Sequence, residues 1–178
     1  MIKINNKYGV VFWVTGLAGS GKTTIAKKLK TKIQKKYGPT IVLSGDEIRS
    51  IFNIKGYDYS QRLLAVQKYQ KIIKKLSMQK INVIFTVIGM IDKIRKENKI
   101  LFKNYVEIYI TANFDKLQKK DKKKLYSKGK NVVGKDINPE LPKSPNIKIK
   151  NGFVGHQLKN QRPGSCYSYG KKQKALSV

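Results

Sequence analysis

The chain has 178 residues, 40% of them apolar, and 39 Lys and Arg against 10 Asp and Glu give it a formal charge of +29. That length suits one domain with a full core, and the longest apolar run, INVIFTVIGMI at 81–91, is far short of the roughly 20 residues that span a bilayer. MIKINNKYGV at the start lacks the apolar centre of a signal peptide, so a cytoplasmic protein without a membrane partner is expected.

GVVFWVT at 9–15 is a continuous apolar, β-branched and aromatic run, the pattern of a strand buried on both faces of a parallel sheet. From Lys22 to Lys36, Ile25, Ala26, Leu29 and Ile33 recur at helical spacing until Gly38-Pro39 stops the helix. TIVLS at 40–44 reads as a second strand. A helix follows from about Gln61 to Gln79, with Leu64, Ile72, Ile73 and Leu76 on its apolar side. INVIFTVI at 81–88 and YVEIYI at 105–110 are the third and fourth strands, with a helix expected between them, and IKIK at 147–150 is a candidate edge strand. Strands alternating with helices predict an α/β fold: a parallel sheet with right-handed crossovers and helices on both faces. Residues 1–150 form the expected domain, and 151–178 read as a basic, loosely ordered tail. The segment 113–130 starts as a helix and then becomes too charged to bury, which fits either a solvated face or a basic lid that closes over phosphates.

Composition narrows the function classes. One Cys, Cys166, and one His, His156, both in the tail, exclude an internal disulfide and a Cys/His zinc cluster. The basic excess invites a nucleic-acid reading, because a cationic surface attracts polyphosphates. Yet Lys outnumbers Arg 35 to 4, whereas base reading and bidentate phosphate clamps favour Arg. A solvated Lys-rich surface is expected, and nucleic acid is not the expected partner.

The sharpest signal is the string Gly16, Leu17, Ala18, Gly19, Ser20, Gly21, Lys22, Thr23, followed by Thr24. It satisfies G-x-x-x-x-G-K-[ST] between a predicted strand and a predicted helix, the context that such a loop requires. Glycines let backbone amides ring a phosphate chain, and the dipole of the following helix favours the anion. Lys22 is placed to reach the β- and γ-phosphates of ATP, and the Thr23 hydroxyl to ligate Mg²⁺. A GTPase is not indicated, since neither Asn6-Lys7 nor Asn98-Lys99 continues into the x-Asp that reads guanine. The third strand ends in Val87-Ile88-Gly89 without the carboxylate of a motor ATPase. A kinase acting on a small molecule fits better.

The second strand ends in Ser44-Gly45-Asp46-Glu47-Ile48-Arg49. Placed beside the first strand, it would bring Asp46 near the γ-phosphate, where a carboxylate can orient an acceptor hydroxyl and help hold Mg²⁺. Asp46 could instead cap a helix. Arg49 can face the same cleft one turn on, and Arg62 fits either the cleft or the surface.

TGLAGSGKTT, SGDEIR, GYDYSQR, KKDKKKLYSKGK, VGKDINPELP and PNIKI together resemble the adenylylsulfate kinase family over roughly residues 8–150. The resemblance implies a P-loop, nucleoside-kinase-like fold, a homodimer, and transfer of the γ-phosphate of ATP to the ribose 3′-hydroxyl of adenylyl sulfate. It further implies acceptor-side roles for Asp46, Arg49 and Arg62, base stacking for Tyr57, and a lid around Asp121, Leu125, Tyr126 and Lys128. The chain departs from the family where a Ser-Pro-aromatic-Arg string is usual: it has Gly89-Met90-Ile91-Asp92. Ala65 and Gln67 stand where the family has Asn and Arg, and the second stacking aromatic expected near Asn138-Pro139-Glu140 is missing. With the ATP half kept and the acceptor half rewritten, a changed 5′-activated nucleotide is the expected substrate. Related kinases in surface-polysaccharide pathways take cytidine diphosphoramidate, which is the preferred candidate ahead of adenylyl sulfate. A non-catalytic nucleotide or nucleic-acid binder and an inactive paralogue are the alternatives.

Overall fold

A computed structural model of the chain describes residues 4–121 and 124–152. The tail beyond 152, with Cys166 and His156, lies outside the described residues. Among the described residues no helix is long and apolar enough to cross a membrane.

Five strands, β1 (Val11–Thr15), β2 (Thr40–Ser44), β3 (Asn82–Val87), β4 (Tyr105–Thr111) and β5 (Ile147–Lys150), form one parallel sheet in the order β2-β3-β1-β4-β5. Among the described residues six helices accompany them: α1 (Lys22–Tyr37), α2 (Gly45–Ile51), α3 (Tyr59–Met78), α4 (Asp92–Leu101), α5 (Phe114–Lys120) and α6 (Leu125–Lys128). The fold is α/β, a parallel sheet with helices between its strands.

The order corrects one expectation. β2 does not lie beside β1, because β3 comes between them. Burial gives the physical reason: β3 is buried from Asn82 to Thr86 and needs neighbours on both sides, whereas every residue of β2 is only half-buried. The less apolar TIVLS therefore takes the edge.

Side-chain alternation divides the core in two. Val11, Trp13, Val83 and Phe85 face α3 and α4 with Ala65, Tyr69, Ile73 and Ile94. Val10, Phe12, Val14, Ile84, Ile108 and Ile110 face α1 with Ala26 and Ile33. Each Val, Ile or Phe side chain among them contributes about 1.5–3 kcal/mol by leaving water. On α3 the buried stripe is Ala65, Val66, Tyr69 and Ile73, while Leu64, expected on the apolar side, is 52% exposed. The helix is rotated so that Tyr69 can pack on Phe85, ring centres 5.3 Å apart.

Candidate active site

Because all five strands run the same way, the segments that follow them emerge at one edge of the sheet. That edge gathers the phosphate string after β1, Asp46 after β2, Gly89 after β3, Asn113 after β4 and Asn151 after β5. With β3 between β1 and β2, Asp46 and the phosphate string are separated by two strand spacings, about 10 Å.

The phosphate string leaves β1 at Gly16, where a side chain would meet Ile110 O at 2.6 Å. It turns through Gly19 and Gly21 with φ of 74° and 91°, the left-handed region that glycine adopts freely. Lys22 Nζ donates to Gly16 O and Leu17 O, both at 2.8 Å. Ser20 Oγ is buried without a hydrogen-bond partner among the described residues. The 16-residue helix α1 starts at Lys22 with no side-chain cap on its first amides. Thr23 and Thr24 are exposed on its first turn. Uncapped amides, an ammonium and an unpaired hydroxyl on one loop suit an anion.

After β2, α2 is capped by Ser44, whose hydroxyl accepts from Glu47 N at 3.1 Å while the Glu47 carboxylate accepts from Ser44 N at 2.8 Å. Asp46 is therefore not the cap, and it lies exposed in the first turn of α2. Beneath it Tyr69, which sequence reasoning did not single out, points its hydroxyl to Gly45 O at 3.4 Å.

Arg49, Tyr57 and Arg62 come together. The buried Arg49 donates to Ile54 O at 3.3 Å and Gly56 O at 2.8 Å, and its guanidinium carbon is 4.4 Å from the centre of the Tyr57 ring. Arg62 donates from Nε to Tyr57 O at 2.6 Å and from Nη2 to Asn131 O at 2.7 Å, with its guanidinium carbon 5.5 Å from the same ring. Burial, and then the positive charge of Arg49, hold the Arg62 guanidinium below its ordinary pKa. Asp58 caps α3, accepting from Gln61 N at 3.0 Å and Ser60 Oγ at 2.6 Å. Those two bonds hold its carboxyl below the usual range. Ala65 is fully buried in the core and Gln67 is exposed, so neither position completes the Arg49–Tyr57–Arg62 cluster.

After β4, α5 and α6 pack on the phosphate string through Leu117 and Tyr126, both buried against Ala18. The segment is thus less solvated than its charge suggests. Asp121 accepts from Tyr126 N at 3.1 Å and from Ser127 N and Oγ at 2.8 Å each. Burial pushes its carboxyl up, but the bonds from Ser127, Tyr126 and Leu125 outweigh this and hold it below the usual range. Lys128, at the end of α6, is exposed. The Glu140 carboxylate accepts from Asp92 N at the start of α4, whose N-cap residue, Ile91, supplies no side-chain bond.

Among the described residues no three His, Cys, Asp or Glu side chains cluster as a metal cage. The oxygen donors at the edge, the Thr23 hydroxyl and the Asp46 carboxylate, are hard ligands of the kind Mg²⁺ takes alongside substrate phosphates.

A sequence model of adenylylsulphate kinase matches residues 8–150. The cytidine diphosphoramidate kinase of Campylobacter jejuni is 42% identical over 145 residues, covering 79% of this chain and 84% of that protein. An adenylyl-sulfate kinase of Clostridium acetobutylicum is 32% identical over 155 residues, 83% of this chain and 78% of that one. The Mycobacterium tuberculosis APS kinase solved in complex with AMPPNP and APS superposes with a TM-score of 0.72 at 23% identity, over 80% of this chain and 88% of that one, which supports the fold. With four-fifths of its length matched, this chain belongs to the adenylylsulphate kinase family of phosphotransferases.

Proposed function

We propose that the protein transfers the γ-phosphate of ATP to the ribose 3′-hydroxyl of a 5′-activated nucleotide, with cytidine diphosphoramidate as the acceptor. The observation that carries the acceptor is the 42% identity to a cytidine diphosphoramidate kinase across most of both chains. Gly89 and Met90, which follow β3 at the same edge of the sheet, agree with it, since the Ser-Pro-aromatic-Arg string usual in the family is changed there while the phosphate string is intact.

In this reading the amides of residues 16–23 and Lys22 hold the triphosphate. Asp46 orients the acceptor hydroxyl and accepts its proton as the oxygen attacks. Arg49 and Arg62 bind the anionic 5′ groups, and Tyr57 stacks on the base. Mg²⁺, held by Thr23 and by Asp46 through water, would neutralise charge on the phosphates. Gly89 offers no hydroxyl, so transfer is direct and in line. The segment 113–130, with Lys128, acts as the lid. The protein works as a cytoplasmic homodimer.

The second reading, an adenylyl sulfate acceptor, is favoured by the family match over residues 8–150. A mass-spectrometric screen with ATP, Mg²⁺ and both acceptors decides between them. Phosphate gain on cytidine diphosphoramidate supports the proposal. Gain on adenylyl sulfate alone establishes the second reading, and no gain on any 5′-activated nucleotide removes both.

A further inference from the structure

We infer that two side chains outside the phosphate string, Tyr126 and Asn151, aim its backbone amides at the triphosphate. Tyr126 Oη donates to Ala18 O at 3.0 Å, and Asn151 Nδ2 donates to Ser20 O at 2.8 Å. A peptide unit is planar, and in its trans form the C=O of one residue and the N–H of the next point in opposite directions. Fixing Ala18 O on the Tyr126 side therefore turns the Gly19 N–H the other way, and fixing Ser20 O does the same for the Gly21 N–H.

Both amides belong to glycines at φ of 74° and 91°. Glycine populates positive and negative φ about equally, so these peptide planes would flip readily without an anchor. Lys22 already holds Gly16 O and Leu17 O. Tyr126 and Asn151 extend that hold to Ala18 and Ser20, so the carbonyls of Gly16, Leu17, Ala18 and Ser20 are tied while the Gly19 and Gly21 amides are turned the other way, toward the ligand.

Both anchors are themselves fixed. The Tyr126 ring is 7% exposed and meets Phe114 edge-on, centres 5.5 Å apart. Asn151 N donates to Thr111 O at 2.8 Å, and its side-chain nitrogen lies 2.6 Å from where a Cβ on Gly21 would be. A loop held in its binding shape before the ligand arrives loses less conformational freedom on binding. Tyr126 and Asn151 are thus positioning residues for phosphate, acting without contact to the base. The inference rests on the reading of this string as the ATP phosphate cradle.

The test is calorimetric titration of the full chain and of Tyr126→Phe, Asn151→Ala and the double variant with ATP and with inorganic tripolyphosphate. Each single change should weaken both ligands by the same factor, about 3- to 10-fold for one lost hydrogen bond, and the double variant should show the product. The KM for the acceptor should not move in Asn151→Ala, which lies outside the lid segment 113–130. Tyr126→Phe keeps the ring packing, so an affinity loss at unchanged melting temperature is not unfolding. Wild-type affinity in both single variants overturns the inference, as does a loss confined to ATP, which would put these residues on the base. If the unaltered chain binds no ATP, the cradle reading falls as well; if it binds ATP and the variants bind equally, only this inference falls.

Discussion

The guanidinium of Arg49 lies 4.4 Å from the centre of the Tyr57 ring and is tied to Ile54 O and Gly56 O, so one buried cation fixes both the loop before α3 and the ring upon it. Tyr57 remains 48% exposed. A half-exposed ring held by a cation is suited to stacking, because it is positioned before the base arrives.

Tyr57→Ala should therefore raise the acceptor KM about 10-fold, in line with the 1–3 kcal/mol that base stacking on an aromatic contributes. Tyr57→Phe should stay within about 2-fold of wild type, since only the ring is used. The KM for ATP should be unaffected in both. Steady-state kinetics with each substrate varied in turn decides this, and an ATP effect as large as the acceptor effect would remove Tyr57 from the acceptor site.

Asp46→Asn separates chemistry from folding. Ser44 and Glu47 cap α2 reciprocally, so the helix does not depend on Asp46. The variant should keep its denaturation midpoint and its ATP affinity while turnover drops about 100-fold or more, the scale of a lost general base. Unchanged turnover would exclude Asp46 from the reaction.

Much of this was legible in the sequence, for identifiable reasons. β1 and β2 announce themselves by β-branched runs next to glycine or proline, β5 shows as an Ile/Lys alternation, and the phosphate string is a contiguous motif whose geometry follows from its glycines. Strand order was not legible, because it depends on relative burial across the sheet: only the contrast between half-buried β2 and fully buried β3 puts the latter in the centre. Tyr69 and Asn151 escaped notice because their contacts, with Gly45 and Ser20, span 24 and 131 residues and belong to no motif. The side of α3 that faces the core was misjudged at Leu64 because Ala65 and Tyr69 are weaker hydropathy signals than leucine.

Gly89 carries a structural requirement as well as a chemical departure. Its φ is 48°, and a Cβ there would lie 2.8 Å from Val87 Cγ1 and 3.2 Å from the buried Trp13 Nε1. Restoring a serine should cost about 1–3 kcal/mol through overpacking and left-handed backbone strain. Urea denaturation of Gly89→Ser measures it, and a midpoint equal to wild type would show that this turn relaxes freely.

Acid titration should resolve two opposing groups of carboxyls. Asp58 is held below the usual range by Ser60 and Gln61, Asp92 by Lys96 and Arg95, and Asp121 by its α6 contacts despite burial. Their folded pKa values lie under the unfolded value of about 3.9, so their stabilisation is complete above that pH and is lost as pH falls through the folded values. Glu107 runs the other way. Burial raises its carboxyl, only partly offset by Arg95, whose Nε is 3.6 Å from Oε1. The folded state then holds a proton that the unfolded chain has released, and stability falls as pH rises from about 4.3 to the raised folded value. Urea midpoints from pH 7.5 to 2.5 for wild type and Glu107→Gln should differ in slope only across that upper window, with both curves descending together below it. Parallel curves throughout would mean that Glu107 is ionised as readily in the fold as in the unfolded chain, and that Arg95 fully offsets its burial.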